Sequence, residues 1–135
     1  MINMMNKNFP EKYLQYLFND KVIFHFTDPL YYIKTTSKKY DSVILNLPEI
    51  TDISVNKLFT EEFFTYIKNI LTDNGIFAFN ITSSESFLEK DLKERNNSVY
   101  KTLKPVFNNI LIINGERNIF ISSKNNSCKL SAENI

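Results

Sequence analysis

Residues 40–50, YDSVILNLPEI, hold the side chains best placed for chemistry. Val43-Ile44-Leu45 is an apolar run, and Asn46 falls where a strand built on that run would end. Pro48 and Glu49 follow at once. In an open parallel sheet, ligands sit beyond the carboxyl ends of the strands. Asn46-Leu47-Pro48-Glu49 is therefore either an active-site loop or the polar cap of a core strand. Glu49 can take up a proton and hold charge, whereas Asn46 only donates and accepts hydrogen bonds. Ser83, Ser84 and Glu85 follow a second apolar run, 76–81, at the equivalent point, which is a weaker signal. Asp28 stands directly before Pro29 and suits a helix cap. His25 is the only histidine and alternates with Phe24 and Phe26, so it reads as a sheet residue rather than a base. Tyr31 and Tyr32 read as packing residues. Cys128 is the only cysteine, which excludes a disulfide within the chain and a cysteine-rich metal site. Nothing in the sequence points to a metal.

These residues need a scaffold, and 135 residues bound it to one domain at most. Hydrophobic residues are 43% and charged residues 23%, enough apolar material for a core. The net charge of +1 gives no field that would favour nucleic acid or an anionic membrane. Twelve Phe and seven Tyr stand against two Gly, and the phenylalanines are core by default. The N-terminus lacks a cationic start followed by a sustained apolar stretch, so it does not read as a secretion signal. No apolar run approaches the roughly 20 residues that span a bilayer. The expectation is a soluble, cytoplasmic chain.

The pattern along the chain alternates strands and helices. Residues 10–19 read as a short helix and 21–27 (KVIFHFT) as a strand. Asp28 and Pro29 then start a short helix that runs to about Thr35. A strand at 42–47 leads into a polar loop at 48–57. Thr60 caps a helix whose first turn holds Glu61 and Glu62, where they suit the helix dipole. Phe63, Phe64, Ile67, Ile70 and Leu71 form one apolar face of it. Asn74-Gly75 reads as its end, with Gly75 in a left-handed cap. A strand at 76–81, a loop at 82–86 and two helices, 87–94 and 98–107, come next. The strands 109–113 and 118–122 are joined by Asn114-Gly115-Glu116-Arg117, short enough to make an antiparallel hairpin. Strands alternating with helices indicate an α/β fold with a parallel sheet, here ending in that hairpin. The polar stretch from Lys124 reads as a disordered tail. The expected organisation is a tail at 1–8, a domain at 9–123 and a tail at 124–135.

Three ordered segments carry a resemblance: KYDSVILNLPEI, LFTEEFFTYIKNILTDNGIFAFN and NNSVYKTLKPVFNNILIINGERNIFISS. Together they resemble the polyamine aminopropyltransferase (spermidine synthase-like) family, of the class I methyltransferase-like, Rossmann-like fold. The likeness covers about Phe9 to Ser123 and matches the C-terminal half of that domain. It implies transfer of an aminopropyl group from decarboxylated S-adenosylmethionine to a diamine. It maps the family's paired carboxylates, spaced D-x-x-D, onto Asn46 and Glu49, the candidate catalytic pair. It maps the carboxylate that binds the cofactor's adenine amino group onto Asp28, and substrate contacts onto Ser83 and Ser84. The family's glycine-rich cofactor loop has no counterpart here, since no Gly precedes Gly75. The resemblance therefore implies an incomplete sheet that binds no cofactor alone.

Several readings follow from that gap. The chain is half of a split enzyme completed by a partner bearing the other half, or a noncatalytic interaction remnant. Amino-group methyltransferases of the same fold carry [DN]-P-P-[FY] at this strand end, of which Asn46-Leu47-Pro48-Glu49 keeps the Asn and one Pro. The missing strands would fall between 21–27 and 42–47. Either those two close up into a five-stranded sheet, which is the favoured outcome, or an open edge is left for a second chain or for self-association. No nucleic acid or membrane partner is expected.

Overall fold

The computed structural model describes residues 20–46, 57–84 and 90–125. Among these, three helices and four strands run in the order α1 (Pro29–Thr35), β1 (Tyr40–Leu45), α2 (Glu61–Ile70), β2 (Leu71–Thr82), α3 (Lys90–Leu103), β3 (Asn109–Ile113) and β4 (Arg117–Ser123). A single 3₁₀ turn, Lys57–Phe59, precedes α2. The sheet order is β1-β2-β4-β3. β1 and β2 are parallel, whereas β4 runs antiparallel to both β2 and β3. A parallel pair finished by an antiparallel hairpin is the architecture expected from the sequence.

Local chemistry starts two of the helices. The Asp28 carboxylate accepts from the Tyr31 backbone N–H at 2.9 Å, and Pro29 follows as the first residue of α1. The Thr60 hydroxyl accepts from the Phe63 N–H at 3.2 Å, and Glu61 and Glu62 sit in the first turn of α2. Each such cap contributes about 1 kcal/mol. Helix α2 buries Phe63, Phe64, Ile67 and Ile70 against the sheet. There the Phe79 and Phe120 rings stack with centroids 4.9 Å apart, and Phe64 lies against Phe77 and Phe79. Val99 and Leu103 of α3 close the same core, and Leu30 and Ile33 of α1 pack against it. All three helices therefore cover one face of the sheet.

Several expectations are corrected. Residues 21–27 are not a strand, and the five-stranded closed-up sheet does not form: β1 is the edge among the described residues. Val22, Ile23, Phe24 and Phe26 are 38–70% exposed. Alternation alone does not make a strand without a neighbour to pair with.

Helix α2 does not end at Gly75. It stops at Ile70, Leu71 caps it in extended conformation, and β2 begins there. Gly75 has no positive φ. It lies inside an irregularity of β2, because Tyr40 pairs with Leu71 while Ser42 pairs with Ile76. Two steps on β1 thus face five on β2. A Cβ on Gly75 would sit 2.9 Å from both the Leu71 Cβ and the Thr72 carbonyl oxygen, so close approach, not handedness, requires glycine.

The two expected helices at 87–94 and 98–107 are one helix, α3, running unbroken through Arg95-Asn96-Asn97. Asparagine costs only some tenths of a kcal/mol in a helix interior. Leu92, Asn96, Val99 and Leu103 share one face, so packing outweighs that cost. Tyr31 is 64% exposed rather than packed. Lys124, the first residue of the expected tail, is tied to β2. Its N–H donates to the Gly75 carbonyl at 3.1 Å, and its Nζ to the Leu71 carbonyl at 2.9 Å. The Nζ also pairs with Asp73 at 3.3 Å. The helix expected at 10–19 lies outside the described residues.

Candidate functional site

The parallel pair β1 and β2 sets both carboxyl ends at one end of the sheet. Asn46 follows the last residue of β1. Leu45 registers with Phe79, which brings Asn46 level with Asn80 of β2. The Asn80 amide Nδ2 donates to the Asn46 Oδ1 at 3.2 Å. The Asn80 Oδ1 is buried and has no hydrogen-bond partner among the described residues. A buried acceptor left unmet costs about 1–3 kcal/mol, and it would be relieved by a donor such as an ammonium group.

Ser83 and Ser84 directly follow β2. Ser83 is buried, and its N–H donates to the Glu116 carbonyl in the hairpin turn at 2.8 Å. The β3–β4 turn thereby lies against the same end of the sheet. The structure thus gathers Asn46, Asn80, Ser83 and Ser84 at the carboxyl ends of β1 and β2. Glu49 and Glu85 lie outside the described residues. Asp28 uses Oδ1 to cap α1; its second oxygen adds further acceptor capacity. Asn80 was not singled out from the sequence, because it reads as the last polar step of the run FAFN. The signal available was its position, one pairing step past Leu45 and Phe79.

The His25 ring lies tilted against the Tyr32 ring, with centroids 4.6 Å apart. The Tyr32 hydroxyl meets the Tyr40 hydroxyl at 2.6 Å. Either hydroxyl can donate, and the bond with Tyr40 holds the Tyr32 hydroxyl below the ordinary tyrosine range. The same bond pushes Tyr40 above it. This pair stands at the amino end of β1, about 20 Å of strand from Asn46 at 3.3 Å per residue. Beside it a cleft of about 380 Å³ is lined by Lys21, Ile23, His25, Tyr40, Ser42 and Val43 among others.

No helix among the described residues is long and apolar enough to cross a membrane. No group of three or more His, Cys, Asp or Glu among them is arranged to hold a metal ion.

Comparison with known proteins gives a consistent picture. A family model of the spermine/spermidine synthase domain matches residues 1–131. The polyamine aminopropyltransferase of Saccharolobus solfataricus is 35% identical over 105 residues, which are 73% of this chain and 33% of that protein. The polyamine aminopropyltransferase of Sulfolobus acidocaldarius is 35% identical over 80 residues, 58% of this chain and 25% of that protein. The chain thus spans about a third or less of these curated relatives. Among solved structures, human methyltransferase-like protein 13 in complex with SAH aligns with TM-score 0.70 and 19% identity, over 91% of this chain and 58% of that one. Spermidine synthase from Thermotoga maritima aligns with TM-score 0.61 and 15% identity, over 90% of this chain and 41% of that one. At these identities the two structures show the fold: an incomplete methyltransferase-like, Rossmann-like sheet.

Proposed function

The chain belongs to the spermine/spermidine synthase domain family, and from that premise we propose that it forms the amine-binding half of an aminopropyltransferase site. The co-substrates are decarboxylated S-adenosylmethionine and a diamine. The observation that carries the reading is the Asn46–Asn80 pair with its unmet buried acceptor, at the carboxyl ends of two parallel strands.

The chemistry assigns each residue a task. An unprotonated amine attacks the methylene carbon next to the sulfonium centre. The new C–N bond forms as the C–S bond breaks, and its electron pair leaves on sulfur as a neutral thioether. The attacking nitrogen becomes cationic and must lose one proton. Glu49 takes that proton. Asn46 and Asn80 hold the amine by hydrogen bonds without adding charge. Ser83 and Ser84 contact the substrate, and Asp28 accepts from the adenine amino group with the oxygen that does not cap α1. Nucleoside binding in such folds uses a glycine-rich turn at a helix N-terminus. No Gly precedes Gly75 in these 135 residues, so the reading expects them to turn over substrate only when that turn is supplied.

Isothermal titration tests the first half of this. No binding of S-adenosylmethionine or its decarboxylated form is expected below millimolar concentration. Micromolar affinity would mean that the 135 residues complete the nucleoside site themselves. Mass-spectrometric assay for the thioether nucleoside, with and without the uncovered part of a relative, tests the second half. Absence of product in both arms favours a noncatalytic role.

A further inference from the structure

Both glycines of the chain follow an asparagine, at Asn74-Gly75 and Asn114-Gly115. An Asn-Gly pair can modify itself. Glycine has no Cβ to keep the preceding side chain away from its backbone nitrogen. That nitrogen, once it has lost its proton, attacks the Asn Cγ. The new C–N bond closes a succinimide ring as the side-chain nitrogen takes up a proton and leaves as ammonia. Water then opens one or the other ring carbonyl, giving aspartate or isoaspartate. No oxidant, reductant or cofactor takes part. The rate is set by how freely the two residues can bring Cγ onto the nitrogen.

The fold gives the two pairs opposite freedom. Asn74 is exposed, but Gly75 is buried inside β2. The Gly75 carbonyl accepts from the Lys124 N–H at 3.1 Å, and the next residue, Ile76, pairs with Ser42 on one side and Ser123 on the other. The Leu71 Cβ and the Thr72 backbone already crowd its Cα. The backbone cannot turn there without breaking pairing on both sides of β2. Asn114 lies between the end of β3 and the start of β4. It is exposed, and Gly115 is half-buried. The Gly115 N–H donates to the Asn118 Oδ1 at 3.4 Å, a long and therefore weak bond.

We propose that Asn114 is a site of spontaneous deamidation in the folded chain, and that β2 protects Asn74 from the same reaction. The inference does not rest on the transfer chemistry. The product adds one negative charge, which takes the net charge from +1 to zero. The isoaspartyl form also lengthens the turn by one backbone atom. Two residues on, the Glu116 carbonyl accepts from the Ser83 N–H. The longer turn therefore loosens the contact between the hairpin and the carboxyl end of β2. Asn74 reacts only through opening of its strand, so its rate reports how often β2 opens there.

The test incubates the full chain at mildly alkaline pH, native and in urea, and follows both sites by peptide mapping with mass spectrometry. For each site the ratio of the urea rate to the native rate measures protection by the fold and cancels the effect of neighbouring residues. The ratio at Asn74 should exceed that at Asn114 by roughly tenfold or more, a factor that about 1.4 kcal/mol of opening free energy already gives. Gly115 has no positive φ, so Gly115→Ala fits the backbone. It should slow the reaction at Asn114 and leave Asn74 unchanged. Equal ratios at the two sites, or a larger one at Asn114, overturn the proposal. So does a Gly115→Ala chain that reacts at Asn114 as fast as wild type. In the aged chain the Ser83 amide should exchange hydrogen faster than in fresh protein. Unchanged exchange at Ser83 overturns the coupling between the modified turn and the end of β2.

Discussion

Asn46 and Asn80 can orient an amine but cannot take its proton, which leaves Glu49 as the proton acceptor in the proposed mechanism. In a completed assembly, Asn46→Asp should raise kcat, because it returns a charge that favours the cationic amine. The new carboxylate can still accept from the Asn80 amide. Glu49→Ala should lower kcat by about 10²–10⁴-fold, the usual worth of a positioned base. Equal turnover in wild type and Glu49→Ala removes Glu49 from the mechanism. A second prediction concerns Tyr32 and Tyr40. Tyr32, held low, ionises first and favours the folded chain as pH rises through the tyrosine range. Tyr40, pushed up, disfavours the folded chain once pH passes its unfolded value. Tyr32→Phe should therefore bring the Tyr40 titration back down toward the ordinary range. Ultraviolet absorbance of the phenolate reads this directly, and an unmoved Tyr40 would show that the hydroxyl pair is not formed in solution.

At the scale of elements, Gly75 is the tightest point. Its hydrogen faces backbone and Cβ atoms that have little freedom to give way. Gly75→Ala should cost roughly 1–3 kcal/mol, the usual penalty of overpacking, seen as a lower urea midpoint with an unchanged slope. A neutral substitution would mean that the irregularity in β2 relaxes. This position also marks the limit of what sequence could tell. Helix α2 was legible because its cap and its apolar spacing are local features. Its end was not, since Asn-Gly signals a left-handed turn in most chains and here serves a close approach that pairing with β1 creates. Residues 21–27 misled for a related reason: alternation is written in the segment, but the neighbour that makes a strand is not. The fusion of two helices into α3 likewise came from packing that no residue in 95–97 reveals. Asn46 was legible as a strand end; Asn80 became visible only when register set the two strands side by side.

The described residues form two layers, with helices over one face of the sheet and none of the described helices over the other. Hydrogen exchange should follow that asymmetry. Amides of β1, paired on one side, should exchange faster than those of β2, which lies between β1 and β4. Slow exchange throughout β1 would mean that something already pairs with its outer edge. The order of pairing has a further consequence, for the time course of folding. β3 and β4 are joined by three residues, so their hairpin can close in about 1–10 μs. β2 must then find β4 from 47 residues away, as Ile76 pairs with Ser123. β1 can add only after β2 is in place. The strand that leads into Asn46 is thus the last to arrive on this route and the first to leave. Substitutions in the hairpin should chiefly slow refolding, whereas those in β1 should chiefly quicken unfolding, so the proposed amine site would sit on the shortest-lived strand of the described sheet.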